Sequence, residues 1–85
     1  MADIRLGFVG IVVEQRLRAE EVNRILTQYG AIISGRIGVP DAESGRAVIG
    51  LIVKGTNDQI GAMTGKLGNI PGVTVKSAMT ACKPE

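Results

Sequence analysis

The side chains that could do chemistry in this 85-residue chain are few, because the sequence contains no histidine and a single cysteine, Cys82. Histidine is the commonest general base near neutral pH and the commonest metal ligand, so its absence removes both uses together. Cys82 has no histidine that could activate it as a nucleophile, and it cannot form a disulfide within the chain. We therefore predict a protein that is not an enzyme and that carries no metal site and no cofactor.

One stretch superficially matches a phosphate-binding loop, because residues 61–67 read GAMTGKL. That motif needs four residues between its glycines and a Ser or Thr after the lysine, which would bind magnesium. Here three residues separate Gly61 from Gly65, and Leu67 follows Lys66. The stretch also follows the start of a predicted helix, whereas the motif follows a strand. We therefore interpret it as part of a helix without a phosphate site.

The elements that must position any functional residue begin with a strand at residues 5–13, which is apolar on both sides. Side chains alternate along a strand, so Val9 and Ile11 face one way while Phe8 and Val12 face the other. A strand with apolar side chains on both sides is buried on both sides. The chain must therefore cover two faces of one sheet.

Five further elements follow, and their order predicts the fold. Periodicity and turn signals place helices at 17–29 and 57–67 and strands at 31–39, 47–54 and 73–79. We expect Gly30 to cap the first helix, and Thr56 with Gln59 to form a capping box at the start of the second. The order βαββαβ predicts an α+β, ferredoxin-like (ACT-like) fold, in which a four-stranded antiparallel sheet of order 4-1-3-2 carries both helices on one face. We assign residues 1–80 to this single domain and 81–85 to a mobile C-terminal tail.

The two faces of the predicted sheet differ in what covers them. We expect the helices to cover the strand sides on which apolar residues are unbroken: Val9, Ile11, Val13, Ile33, Ile37, Ile49, Leu51 and Val53. The other face is then open and carries Leu6, Phe8, Gly10, Val12, Gly38, Val48, Gly50 and Ile52, with Arg36, Lys54 and Lys76 towards its edges. A contiguous apolar patch of this kind marks an interaction surface, and small domains are often helped by oligomerisation. We predict a homodimer or homotetramer formed through the open face.

Charge and targeting signals limit the classes of partner and the cellular location that the sequence predicts. Ten Lys and Arg residues against eight Asp and Glu give a net charge of +2, and their scattered positions do not favour a nucleic-acid or membrane partner. No apolar run approaches the roughly 20 residues of a membrane span, and the N-terminus does not read as a signal peptide. With one cysteine, these features predict a cytoplasmic protein. RNA binding through the open face is an alternative, with Phe8 as its aromatic platform.

Five segments spread over nearly the whole chain form a recognisable pattern: VVE at 12–14, VN at 22–23, RIGVP at 36–40, NDQIGAMTGKLG at 57–68 and IPGVTVK at 70–76. Together they resemble the iron-only hydrogenase system regulators, and the run from 57 to 76 is the most specific part of the resemblance. That family is similar in turn to ACT domains and to the C-terminal domains of nickel-responsive repressors.

The resemblance implies a stand-alone, oligomeric regulatory or sensor domain of an iron-only hydrogenase system, with a ligand or partner bound near the subunit interface. The partner would be a small-molecule effector or a regulatory or maturation protein. On this interpretation the ligand positions are Glu14, Gln15 and Arg16, in the turn after the first strand, and the neighbouring Asn23 and Arg36. The main alternative is a ligand-free adaptor module for protein–protein interaction.

Three departures from the relatives limit what the resemblance implies. Nickel-responsive repressors bind their metal with histidines, which this chain lacks, so nickel sensing is not implied. Amino-acid-binding ACT domains usually place a glycine in the turn after the first strand, where this chain reads EQRL, so an amino-acid ligand is not implied either. The repressors also carry an N-terminal DNA-binding segment, and only four residues precede the first strand here, so we expect no direct DNA binding by this chain alone.

Overall fold

The computed structural model describes residues 3–80 and contains the six predicted elements in the predicted order. Their bounds are β1 Ile4–Val13, α1 Ala19–Gln28, β2 Ile33–Asp41, β3 Arg46–Thr56, α2 Asn57–Gly68 and β4 Val73–Met79. Two short 3-10 turns, Arg16–Arg18 and Gly30–Ile32, flank α1. The predicted mobile tail and Cys82 lie outside the described residues.

The four strands form one antiparallel sheet in the order β2-β3-β1-β4, which is the predicted order read from the other edge. The central strand β1 pairs with β3 from Ile4 opposite Thr56 to Val13 opposite Ala47. On its other side β1 pairs with β4 along seven residues, from Gly7 to Val13. The ferredoxin-like α+β fold is therefore confirmed.

Caps were predicted at the start of α2 and at the end of α1, and the structure agrees with the first and differs from the second. The capping box of α2 is confirmed, because the Gln59 N–H donates to Thr56 Oγ1 at 3.1 Å and the Thr56 N–H donates to Gln59 Oε1 at 2.9 Å. The glycine cap predicted for α1 is wrong. Tyr29 takes the C-cap position, and the chain continues from Gly30 into a 3-10 turn without a positive φ.

The hydrophobic core lies between the two helices and one face of the sheet. It contains Val9, Ile11 and Val13 of β1, Ile49, Leu51 and Val53 of β3, Val22 and Leu26 of α1, and Ile60, Met63 and Leu67 of α2, together with Ile32, Ile70 and Val73. The predicted inward sides of β1 and β3 are therefore confirmed. Helix α1 contributes two buried residues and α2 contributes three, at the spacing of one helical stripe.

The predicted inward side of β2 is wrong beyond its first residue, because β2 contains a bulge at Ser34. Ile33 lies opposite Val53, but Gly35 already lies opposite Ile52, so one residue of β2 has no partner in the ladder. A single extra residue in a strand moves every later side chain to the opposite face.

The bulge changes the assignment of four β2 residues. Ile37, predicted to lie under the helices, is 68% exposed on the open face, and Val39 lies on the same side. Gly38, predicted for the open face, lies opposite the buried Ile49 and therefore belongs to the helix-covered face. Arg36 also lies on the helix-covered side, where it reaches α1.

Candidate functional site

The open face of the sheet carries large apolar side chains that nothing in residues 3–80 covers. We define the open face by its side chains: Leu6, Phe8, Gly10 and Val12 of β1, Ile37 and Val39 of β2, Val48, Gly50 and Ile52 of β3, and Lys76 of β4. Phe8 is 45% exposed, Ile52 46% and Val48 54%. Single exposed apolar residues are ordinary on protein surfaces, but a contiguous group on one face marks an interaction surface.

The ring of Phe8 lies over a pair of glycines at the centre of the open face. Gly10 and Gly50 are opposite each other in the ladder between β1 and β3. A Cβ added to Gly50 would lie 3.0 Å from Phe8 Cε1, and one added to Gly10 would lie 3.3 Å from Phe8 Cε2. Both distances are shorter than ordinary van der Waals contact, so the two glycines allow the ring to lie close to the backbone.

Two apolar hollows lie beside the ring. The larger, about 320 Å³, is lined mainly by Phe8, Val12, Ile37, Val39 and Val48 and ends at Thr74 and Lys76 of β4. The smaller, about 230 Å³, lies towards Ile52 and Gly35. The open face is therefore uneven, with hollows that could receive side chains from a second protein surface.

Charged groups lie at one end of the open face. Arg46 Nε and Glu14 Oε1 form an ion pair at 2.7 Å. Asp41 lies opposite Arg46 in the ladder and accepts a hydrogen bond from the Ser44 hydroxyl. That hydrogen bond, helped by the charge of Arg46, lowers the pKa of the Asp41 carboxyl below its ordinary value. A polar rim beside an apolar centre is the usual arrangement of a protein interface.

The five predicted ligand positions divide into two groups. Arg36 Nη2 donates to Asn23 Oδ1 at 2.9 Å, so the structure brings these two together on the helix-covered side. Glu14 forms its ion pair with Arg46. Arg36 lies opposite Leu51 of β3, and Leu51 is five residues from Arg46 along that strand. Five residues at ~3.4 Å each span about 17 Å, so the two groups are far apart. Gln15 and Arg16 are exposed and follow Glu14 directly.

A hollow of about 390 Å³ adjoins the pair formed by Asn23 and Arg36. It lies at the bulge of β2 and is lined by Leu26, Thr27, Gly30, Ile33, Ser34, Gly35 and Arg36. A guanidinium and a serine hydroxyl beside an apolar wall can bind a small polar ligand. Sequence reasoning missed Ser34, and the pattern of apolar residues carries no signal for it.

Other classes of site find little support in the described range. Among residues 3–80, no three of His, Cys, Asp and Glu are grouped so that they could hold a metal ion. Neither α1 nor α2 is long and apolar enough to cross a membrane.

A four-stranded sheet with two helices on one face and an apolar open face defines the class of small ferredoxin-like domains. The model of the TM1266-like family, iron-only hydrogenase system regulators, matches residues 5–77. The chain belongs to this family, so the resemblance seen in the sequence is confirmed. The family is described as regulatory.

The solved structures extend this comparison. Protein TM1266 from Thermotoga maritima, which is uncharacterized, is 41% identical and superposes with a TM-score of 0.86, covering 93% of this chain and 100% of that one. A PII-like signalling protein from Thermus thermophilus is 18% identical, with a TM-score of 0.59 and coverage of 92% and 91%. The apo form of CPII, a nitrogen regulatory PII-like protein from Thiomonas intermedia, is 14% identical, with a TM-score of 0.55 and coverage of 94% and 97%. At these low identities the two PII-like structures show the fold alone. Comparison with the curated proteins found no significant match.

Proposed function

We propose that this protein is a cytoplasmic regulatory domain of an iron-only hydrogenase system that self-associates through its open face and binds a small effector or a protein partner near the subunit interface. The family supports the regulatory role. The observation that carries self-association is the set of half-exposed apolar side chains on the open face, among them Phe8, Val48 and Ile52. Burial of these side chains against a second copy would remove apolar surface from water, at roughly 25 cal/mol per Å².

The size of the open face fits a stable dimer. Four strands spaced ~4.8 Å apart and on average about nine residues long, at ~3.4 Å per residue, give a flat area of roughly 600 Å². A standard protein interface buries about 800 Å² on each partner. The accessible area of an uneven surface is larger than its flat area, so the open face is close to this size. A second copy would therefore cover the whole face.

A matched pair of charge substitutions tests self-association. Val48→Glu places a carboxylate among the apolar side chains of the open face, whereas Ala62→Glu places the same group on the exposed outer side of α2. We expect Val48→Glu to sediment as a smaller species than the wild type in analytical ultracentrifugation, and Ala62→Glu to match the wild type. A Val48→Glu variant that is folded by circular dichroism and keeps the wild-type mass would contradict the proposal.

The effector is proposed to bind beside Asn23 and Arg36, in the hollow at the bulge of β2. Arg36 lines this hollow and holds Asn23 by a hydrogen bond, so its guanidinium supplies donors there. Gly35 and Arg36 also line the smaller hollow of the open face, so a second copy on that face would lie close to this site. Glu14, Gln15 and Arg16, at the other end of the sheet, are the second candidate group. Because CPII was solved bound to ADP, AMP and bicarbonate, these ligands join amino acids and divalent cations in the panel to be screened.

Thermal unfolding across that panel tests the effector site. A ligand that binds the folded state raises the melting temperature in proportion to the logarithm of its concentration relative to Kd. Arg36→Ala should abolish the shift if the ligand lies at the bulge, and Arg16→Ala should abolish it if the ligand lies at the turn. If neither variant changes the shift in melting temperature, neither group of residues binds the ligand.

A ligand-free adaptor is the second candidate function, and the apolar lining of the two hollows on the open face favours it. Such hollows suit protein side chains better than a charged metabolite. A protein that self-associates but whose melting temperature responds to no compound in the panel would fit the adaptor. Tight, salt-dependent binding of single-stranded RNA would instead favour the RNA-binding alternative.

A further inference from the structure

The outer edge of β4 carries backbone groups that point away from the sheet. Just beyond the two ends of β4, the Thr80 N–H donates to the Leu6 carbonyl and the Glu14 N–H donates to the Gly72 carbonyl. Hydrogen-bonded residues alternate along an antiparallel ladder, so the even-numbered residues of β4 direct their N–H and C=O groups to β1. Val73, Val75 and Ser77 therefore direct theirs outward. The Val73 N–H is satisfied by the Ile70 carbonyl. Within residues 3–80 no strand lies on the outer side of β4, so the N–H groups of Val75 and Ser77 have no partner strand.

The two edges of the sheet are protected very differently. The edge strand β2 is interrupted by the bulge at Ser34 and contains Pro40, and both features prevent a further strand from pairing. The edge strand β4 is regular over its seven residues and contains neither a bulge nor a proline. Proteins protect exposed edges against unwanted pairing, so an edge that is left regular is suited to receive a strand.

A groove of about 490 Å³ lies between this edge and α2. Its helix side is formed by Gly61, Thr64, Gly65 and Gly68, and a Cβ added to any of the three glycines would meet no other atom within 4 Å. The opposite flank of α2 has a neighbour, because Lys66 Nζ lies 5.1 Å from the centre of the ring of Tyr29, the C-cap residue of α1. Helix α2 is therefore packed on one flank and bare on the flank above the β4 edge.

We propose that β4 pairs antiparallel with β4 of a second copy of this chain, so that the two sheets join edge to edge and the two α2 helices meet through their glycine flanks. A two-fold axis at Val75 sets Thr74 opposite the partner's Lys76. An axis at Lys76 would set two lysines directly opposite each other, which is unfavourable. With the axis at Val75, roughly four new hydrogen bonds form, between the two Val75 residues and between each Ser77 N–H and the opposite Val73 carbonyl.

A second copy suits this site better than an unrelated extended peptide, because the site has two parts. A peptide strand would pair with the edge but would leave the bare flank of α2 open. A second copy brings both a strand and a helix, and glycines at i, i+4 and i+7 let two helices approach closely. This contact is separate from the open face, so both contacts together would give a homotetramer.

Amide hydrogen exchange followed by NMR tests the proposal residue by residue. Inward N–H groups, such as those of Thr74 and Lys76, are protected by β1 in any folded state. We expect the outward N–H groups of Val75 and Ser77 to exchange at least tenfold more slowly in concentrated than in dilute samples of the wild-type protein. The Met79 N–H also points outward but lies beyond the paired stretch, so it should exchange fast at both concentrations.

Matched variants separate the edge contact from the open face. Gly65→Arg fills the groove and should restore fast exchange at Val75 and Ser77 while Thr74 and Lys76 stay protected. Gly61→Arg should do the same from the other end of the groove, whereas Ala62→Arg, on the outer side of α2, should behave as the wild type. The Val48→Glu variant should keep the edge protection, because it acts only on the open face.

The proposal is overturned if Val75 and Ser77 exchange as fast as Met79 at every concentration, even where the protein self-associates through its open face. It is equally overturned if their protection persists in both glycine variants at every concentration. If the N–H groups of Val75 and Ser77 lose their protection in Val48→Glu alone, the edge contact depends on the open face, and the proposal of a separate edge contact is wrong. In each case the mass of Val48→Glu reports on the open face independently, so the two proposals fail by different results.

Discussion

The two faces of the sheet are made from the same strands but have opposite surroundings. On β1, Val9 and Ile11 are fully buried beneath the helices, while Leu6 and Phe8, on the alternate positions, are 50% and 45% exposed. Residues 3–80 form two α-helices, and both pack on the same face. Both faces of the sheet therefore carry apolar side chains, but the helices bury only one of the two faces. The stability of the domain therefore depends on the covered face, and the proposed self-association depends on the open face.

The largest effect should separate two neighbouring residues of β3. Leu51 is fully buried under the helices, whereas Ile52 is 46% exposed on the open face. Leu51→Ala should lower the free energy of unfolding by about 2–5 kcal/mol, through lost burial and the cavity left behind. Ile52→Ala should lower it by less than about 1 kcal/mol, since surface substitutions seldom do more.

Urea unfolding measures both values, and it should be done in the Val48→Glu background to keep self-association from adding to stability. Equal losses for the two alanine variants would contradict the assignment of the two faces.

A smaller effect is expected at the residue that fixes α2 over the covered face. Thr56→Ala removes the hydroxyl that accepts from the Gln59 N–H, and should cost about 1 kcal/mol in the free energy of unfolding. Thr56→Ser keeps the acceptor and serves as the control. Thermal unfolding of the three proteins checks this order, and a Ser variant as unstable as the Ala variant would show that the methyl group is what matters.

The smallest effect is expected at the rim of the open face, where it depends on pH. The hydrogen bond from Ser44, with the charge of Arg46, lowers the pKa of Asp41 below its ordinary value of 3.8. A carboxyl whose pKa is lower in the folded state adds stability at pH values above its unfolded pKa, and that contribution is lost as the pH falls through the folded pKa.

The wild type should therefore be slightly more stable than Asp41→Asn at neutral pH, and the difference should shrink below about pH 4. Urea unfolding of both proteins at pH 7 and pH 3 measures it. A difference that grows on acidification would contradict the proposed cause.

How far the sequence predicted the fold depends on the strand. The alternation in β1 and β3 predicted their faces correctly because both strands pair without interruption from end to end. In β2 the same alternation, from Ile33 to Val39, continues in the sequence although the pairing slips by one residue at Ser34. A bulge depends on how two strands pair, so the pattern within one strand does not show it.

The candidate site was predictable only in part for the same reason. Phe8, Val48 and Ile52 belong to uninterrupted strands, so their place on the open face followed from alternation and from the unbroken apolar run on the other side of each strand. Ile37 was assigned to the wrong face, because its position depends on the bulge. The separation of Arg36 from Glu14 depends on the register between β2 and β3, which no local motif specifies.

The most direct test of self-association through the open face is the molar mass of the wild-type protein in solution, measured by light scattering on a sizing column over a wide concentration range. A chain of 8.9 kDa should give a mass of at least twice that value at the higher concentrations, falling only on strong dilution. A mass of one chain at every concentration would contradict self-association, and the open face would then need a different partner.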